Sequence, residues 1–112
     1  MLVAFSVAPT SAGESVAEAV ADAIRIVRDS GLPHRVDSMF TTIEGEWDEV
    51  FDVIRRATEA VGQHGSRVQL VIKADIRPGY TGELDAKVER LERVLNRADD
   101  QAVTDLPDAE RR

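Results

Sequence analysis

An α+β sandwich of the split βαβ type is the fold class predicted for this 112-residue chain. Three observations predict it. Short β-branched or aromatic runs alternate with longer runs in which apolar residues recur every three or four positions. The resulting order is strand, helix, strand, strand, helix, strand, helix, and its first six elements match the βαββαβ pattern of ferredoxin-like folds, with one extra C-terminal helix. Right-handed crossovers then place the two crossover helices on one face of a four-stranded sheet, which leaves the other face open in a monomer.

The elements follow in order. Leu2 to Val7 reads as a buried strand closed by Pro9. Thr10 to Gly13 is a loop. Ser15 and Glu18 have capping-box spacing, the hydroxyl accepting from the Glu18 amide and the carboxylate from the Ser15 amide. Val16, Val20, Ala23, Ile24 and Val27 then mark a helix, which Ser30-Gly31-Leu32-Pro33 ends. His34-Arg35-Val36-Asp37 is a short strand, and a tight connection near Asp37-Ser38 leads to a stronger one over Met39–Gly45. Trp47, Val50, Phe51, Ile54, Ala57, Thr58 and Val61 mark a second helix, with Asp48 and Glu49 complementing the dipole of its first turn. Gly62 to Gly65 terminates it. Arg67–Asp75 is a strand broken by Pro78 and Gly79. Thr81 is the expected cap of a third helix, whose Leu84, Val88, Leu91 and Leu95 form a narrow 4-3-4 seam for packing on another element. One domain is expected over residues 1–97. From Ala98 the chain turns acidic, and residues 98–112 are expected to be a disordered tail.

Composition excludes several functions. The chain is 43% hydrophobic and 31% charged, an ordinary globular balance. The absence of cysteine removes disulfides, thiolate nucleophiles and Cys-ligated metal centres. A net charge of −7 opposes a phosphate-tracking nucleic-acid binder and favours a small cationic ligand. No run reaches the ~18 apolar residues of a membrane span, and the apolar start lacks a basic leader region. A cytoplasmic protein without nucleic-acid or membrane partners is the expectation.

Alternation along the strands assigns the sheet faces. Val3, Phe5, Val7, with Met39, Thr41, Ile43 and Val68, Leu70, Ile72, are expected to face the helices. The other sets mix apolar Leu2, Ala4 and Val71 with polar Ser6, Thr42, Glu44, Gln69 and Lys73. Such a face suits burial against a second copy with a polar pocket included, so sheets packed in a homo-oligomer are expected.

Other candidate chemistry is weak. His34 and His64 sit near helix-ending glycines with no nucleophile or second ligand at diagnostic spacing. Gly13 precedes a helix, but Glu14 and Glu18 repel anions there and no phosphate-loop spacing is present. The acidic stretch Glu44–Glu49 attracts cations, yet most of it reads as the start of a helix, and no metal site is expected. Glu44 beside Thr42, Ser6 and Lys73 has two readings: a carboxylate for an aminopyrimidine or cationic ring, or one half of a Glu44–Lys73 cross-strand pair.

The segments Val3–Pro9, Gly13–Val16, Ser30–Pro33, Thr41–Asp48 and Val71–Arg77 together, in order and spacing over about residues 1–96, resemble the thiamine-binding-protein-like family of small prokaryotic proteins. The resemblance implies a ferredoxin-like fold, assembly through sheets into dimers or tetramers, and binding of thiamine or its hydroxymethylpyrimidine part without catalysis. It places polar site positions at Thr41, Thr42, Glu44, Lys73 and Asp75. The loop Ala8–Gly13 departs from the more typical Pro-Leu-Gly version, and Ile76 stands where a polar residue is common.

The expected function is therefore cofactor-free, non-catalytic binding of thiamine or a related pyrimidine by a homodimer or homotetramer. Glu44 would face the ring, Thr42 and Ser6 would orient it, Phe40 would wall it, and Lys73 would set the local charge. The competing expectation is a ligand-free structural or regulatory oligomerisation domain. A cofactor-free enzyme needs a pocket base that neither histidine supplies.

Overall fold

Strict alternation in the first strand decides the architecture. A computed structural model describes residues 1–10 and 16–105. β1 (Leu2–Pro9) buries Val3, Phe5, Val7 and Pro9 and leaves the residues between them half-buried. The buried set meets α1 (Val16–Asp29), through Ala19, Ala23 and Val27, and α2 (Trp47–Gly62), through Val50, Val53, Ile54, Ala57 and Val61. β2 (His34–Val36), β3 (Thr41–Glu44) and β4 (Val68–Asp75) complete a sheet of order β2-β3-β1-β4 in which all neighbours are antiparallel. That is the predicted split βαβ topology in an α+β chain, with α1 and α2 sharing one face. The proposed Ser15–Glu18 capping box lies outside the described residues.

α2 begins where its acidic residues indicate. Glu46 and Glu49 form a reciprocal capping box, the Glu46 amide donating to Glu49 Oε1 at 3.1 Å. The acidic stretch is thus used largely in starting a helix. Gly31, at φ 75°, takes the left-handed position that ends α1.

Three differences from the sequence expectation shape the rest of the molecule. First, β3 starts at Thr41, not Met39. The Asp37 amide donates to the Phe40 carbonyl at 3.0 Å, so residues 37–40 form the turn that joins β2 to β3. Met39 is 76% exposed instead of joining the core. β3 therefore pairs only with Leu2–Phe5, whereas β4 pairs with all of Leu2–Pro9. Second, Leu70 and Ile72 lie opposite Val7 and Phe5 on the helix side, as expected, yet both stay exposed. β4 is an edge strand that the helices reach only at its start, where Val68 packs on the core.

Third, α3 (Glu83–Thr104) runs well past residue 97, where the sequence placed the end of the domain. Residues 98–104, assigned to the tail from sequence, continue the helix; 106–112 lie outside the described residues. Only its first turns touch the sheet, and Val88, Leu91, Val94, Leu95 and Val103 are all exposed. The radius of gyration is 19.5 Å, against about 13 Å for a compact chain of this length. The difference reflects a helix that projects from the body.

Pro9 fits this layout. Met1 and Gly45 exchange hydrogen bonds, N to O in both directions at 2.9 and 3.1 Å. Odd-numbered residues of β1 therefore point their backbone groups toward β3. Pro9 faces the half of that edge where, among the described residues, no strand pairs, so its missing N–H breaks no ladder bond.

Ile43 is fully buried and Met39 is largely in solvent. Ile43→Ala is expected to lower unfolding free energy by about 2–5 kcal/mol, and Met39→Ala to change it by less than about 0.5 kcal/mol. Urea titration of the two variants checks the assignment of the strand start.

Candidate functional site

The residues singled out from sequence fall in two places. One is the open sheet face around the start of α3. Here Glu44 is 8% exposed, and its carboxylate accepts from the Glu83 amide at 2.8 Å and from the Leu84 amide at 3.4 Å. It caps α3 from a strand 39 residues away. The local cap is absent: the N-cap is Gly82, at φ 67°, with no side-chain hydrogen bond, so the expectation of Thr81 as cap is corrected. A carboxylate on exposed N–H groups at a helix N-terminus is favourable both as a hydrogen bond and against the dipole.

Further ties surround that cap. Arg35 pairs with Asp85, and Lys87 pairs with Asp75. Arg90 Nη2 lies 2.6 Å from Glu83 Oε2, and the Arg77 guanidinium sits 3.5 Å above the Tyr80 ring. The hydrogen bond from Lys87 holds the Asp75 carboxyl below its ordinary pKa, and that from Arg90 does the same for Glu83. A hollow of about 40 Å³ beneath Tyr80 is too small for an organic ligand. The Glu44–Lys73 pair weighed from sequence does not form. Lys73 lies opposite Ala4, exposed on the open face, and Thr42 is opposite the same residue on the other side.

The second place is a cleft of about 160 Å³ on the helix side of the sheet, beside the half of β1 that β3 does not reach. Phe40, Thr41 and Ser6 line it, together with Val20, Ile24, Asp37 and Met39. Thr41 is buried, on the face of Phe5 and Ile43, so it belongs to this cleft and not to the open face with Thr42 and Glu44. Ser6 borders the cleft by its backbone, since its side chain shares the open face with Val71. Val7 turns its N–H and C=O into the gap beyond Thr41. A cavity of about 150 Å³ is enough to hold a benzene-sized ring. Asp37 supplies the carboxylate among the lining residues.

The seven predicted residues thus divide. Ser6, Phe40 and Thr41 meet at the cleft; Glu44 and Asp75 are engaged with α3; Thr42 and Lys73 lie between, on the open face. Sequence reasoning missed Asp37 and the Val7 backbone. Both depend on where β3 begins, and the Asp37-Ser38 turn signal was the available hint. Both histidines are used within the fold: His34 Nδ1 is 2.8 Å from the Leu32 carbonyl oxygen, and His64 Nε2 is 2.6 Å from Asp22 Oδ2. Among the described residues, no three His, Asp or Glu side chains converge as a metal site would require, and no helix is long and apolar enough to cross a membrane. A volume of about 670 Å³ along Arg90, Arg93 and Arg97 has α3 as its single wall.

A small α+β protein with a ring-sized cleft beside a half-unpaired strand is the class that fold and site define. The chain belongs to the thiamine-binding protein family, whose sequence profile matches residues 3–92. It is similar to a UPF0045 protein of Mycobacterium bovis, 55% identical over 98 residues that cover 87% of this chain and 96% of the relative. A UPF0045 protein of Synechocystis is 32% identical over 93 residues, covering 82% and 77%. Among solved structures, a domain of unknown function from Bacillus cereus superposes with TM-score 0.66 at 36% identity, covering 73% of this chain and 82% of that one. A Thermotoga maritima protein proposed to act in thiamine biosynthesis or salvage superposes with TM-score 0.67 at 25% identity, covering 79% and 96%.

Two predictions follow from the α3 anchorage. Glu44→Ala exposes two helix-starting amides and is expected to destabilise the first turn of α3 by about 1–2 kcal/mol, read as faster amide exchange at Glu83 and Leu84. Unchanged exchange there would remove Glu44 from the cap. Asp75 and Glu83 have depressed pKa values in the folded chain, so their contribution is complete above the ordinary carboxylate range, about pH 4, and is lost as pH falls through the folded values. Amide protection in the first turns of α3 should therefore decay below about pH 4, before the α1–α2 core opens.

Proposed function

We propose that this chain is a non-catalytic, cytoplasmic binder of thiamine or a thiamine-related pyrimidine, working as a homo-oligomer. The observation that carries the reading is the cleft beside the unpaired half of β1. An aminopyrimidine is planar, with an amine donor next to a ring-nitrogen acceptor. Such an edge complements a strand residue that presents C=O and N–H side by side, as Val7 does. Phe40, Val20 and Ile24 give the apolar walls, and Thr41 brings a hydroxyl. Asp37 at the rim suits the thiazolium cation of the intact vitamin. The family description and the Thermotoga maritima neighbour support the same ligand class.

A second reading keeps the homo-oligomer and drops the ligand. It is favoured by Glu44 and Asp75, whose carboxylates are already engaged with α3.

Thermal melting with thiamine, thiamine phosphates and hydroxymethylpyrimidine separates the two. Ligand at a hundredfold excess over its Kd stabilises the folded chain by about 2.7 kcal/mol, a shift on the order of 10 °C for a domain of this size. Phe40→Ala is expected to weaken every active compound. Asp37→Asn should weaken cationic thiamine and leave neutral hydroxymethylpyrimidine unchanged. Binding lost in Glu44→Ala but retained in Phe40→Ala would move the site to the open face. No shift with any compound would favour the ligand-free domain.

A further inference from the structure

The cleft beside β1 is as selective in charge as it is in size. Among its described lining residues Asp37 has the single charge, and Asp37 is exposed at the rim. The sequence carries this bias well beyond the lining. Residues 1–24, which include β1 and most of α1, contain no Lys or Arg, and neither do residues 36–54. These two stretches supply every residue that lines the cleft. The acids of the first stretch are Glu14, Glu18 and Asp22.

Cations on neighbouring elements are engaged or turned elsewhere. Arg25, one residue past Ile24, lies 2.5 Å from Asp22. Arg35 pairs with Asp85 and, opposite Thr42, belongs to the other face of the sheet. Arg67 stands across β1 on the β4 side, where its carbonyl accepts from the Thr10 amide at 3.0 Å. The N-terminal dipole of α1 favours anions, but Glu18 occupies its first turn. A phosphate monoester has a charge of about −1.5 to −2 at neutral pH. It is held by Lys, Arg or several N–H donors. Without them its burial is costly, and Asp37 adds direct repulsion.

We infer that the cleft accepts the pyrimidine as a free alcohol and rejects its phosphate ester, with Asp37 as the discriminating residue. The inference deepens the proposed function and rests on it. In hydroxymethylpyrimidine the phosphate would sit on the ring's own methylene, so it cannot leave the rim while the ring is seated. In thiamine the phosphorylated alcohol lies beyond the thiazolium, farther from the cleft and beside a compensating cation. Discrimination is therefore greatest for the pyrimidine ester and smaller for thiamine monophosphate.

A place in a reaction sequence follows. The class of reaction that consumes the bound form is phosphoryl transfer to its primary alcohol, in a separate enzyme. The hydroxyl oxygen forms the new O–P bond to the terminal phosphoryl of a nucleoside triphosphate. The bond from that phosphorus to the nucleoside diphosphate breaks, and the hydroxyl proton passes to solvent. The product has the charge that the cleft rejects. The protein thus holds the substrate of such a step and not its product.

Isothermal titration calorimetry of the full chain with hydroxymethylpyrimidine, its phosphate monoester, thiamine and thiamine monophosphate tests this. The pyrimidine ester should bind at least about tenfold more weakly than the free alcohol, and thiamine monophosphate should lose less. Near 1 M salt, where the Debye length is about 3 Å, the gap should narrow. Asp37→Lys should narrow or reverse the ratio of the two pyrimidine affinities, a gain of binding that a misfolded variant cannot give. The turn uses the Asp37 amide and not its side chain, so the variant should keep the wild-type circular dichroism. Equal or tighter binding of the ester by the wild type would overturn this inference and leave the proposed function standing. Discrimination unchanged in Asp37→Lys would overturn the role of Asp37. No binding of any of the four compounds would overturn both readings.

Discussion

The central strand has eight residues, and its neighbour on one side has four. Much of the molecule follows from that mismatch. β4 runs the full length of β1, so the sheet and core are secured from one side. On the other side pairing stops at Phe5, because the chain turns between Asp37 and Phe40 before it can extend the ladder. Backbone groups that a longer strand would have satisfied instead border a cleft walled by α1 and the turn. The same short strand ends at Glu44, which leaves that carboxylate at the sheet margin, within reach of α3. Cleft and helix anchor are thus the two ends of one truncated strand.

Glu44 illustrates how a residue can look like a ligand contact and serve the chain itself. A half-apolar face with a carboxylate at its margin suggests a cation or an aminopyrimidine. In the folded chain the nearest candidates for that acid are the first amides of α3, which Gly82 cannot cap. The pairs Arg35–Asp85 and Lys87–Asp75 then fix the direction of the helix. Exposed ion pairs of this kind stabilise little individually. Their effect is directional: three ties hold the first turns, and the remaining helix projects away from its own sheet.

The topology was legible because it rests on local signals. Alternation in Leu2–Val7 and Arg67–Asp75, helix periodicity in two segments and the glycine and proline stops were enough to give the split βαβ topology and the core-facing set of the first strand. The extent of β3 was not. Met39 and Phe40 have good strand propensity, and only the turn hydrogen bond from Asp37 to Phe40 shows that tertiary geometry prevails there. That difference set Phe40 and Asp37 at the cleft, beside a Thr41 that strand alternation had already assigned to the helix side, and so the predicted residues divide between the two faces of the sheet. The cap of α3 was hidden for another reason. Its acceptor comes from 39 positions upstream, beyond any local motif, while Thr81 offered a nearer and incorrect choice. The length of α3 was obscured by an acidic composition that reads as a tail, although the alanines at 98 and 102 keep the seam in phase.

Pro9 has one more implication. A sheet edge with free backbone groups invites a strand from any passing chain, and the open half of β1 is such an edge. An incoming strand would need to pair beyond Val7, and there it meets a residue with no hydrogen to donate. The gap is long enough for one donor–acceptor pair and closed to a second. The proline thus acts as a length filter: it leaves the notch usable by something the size of a single ring and unrewarding to a peptide.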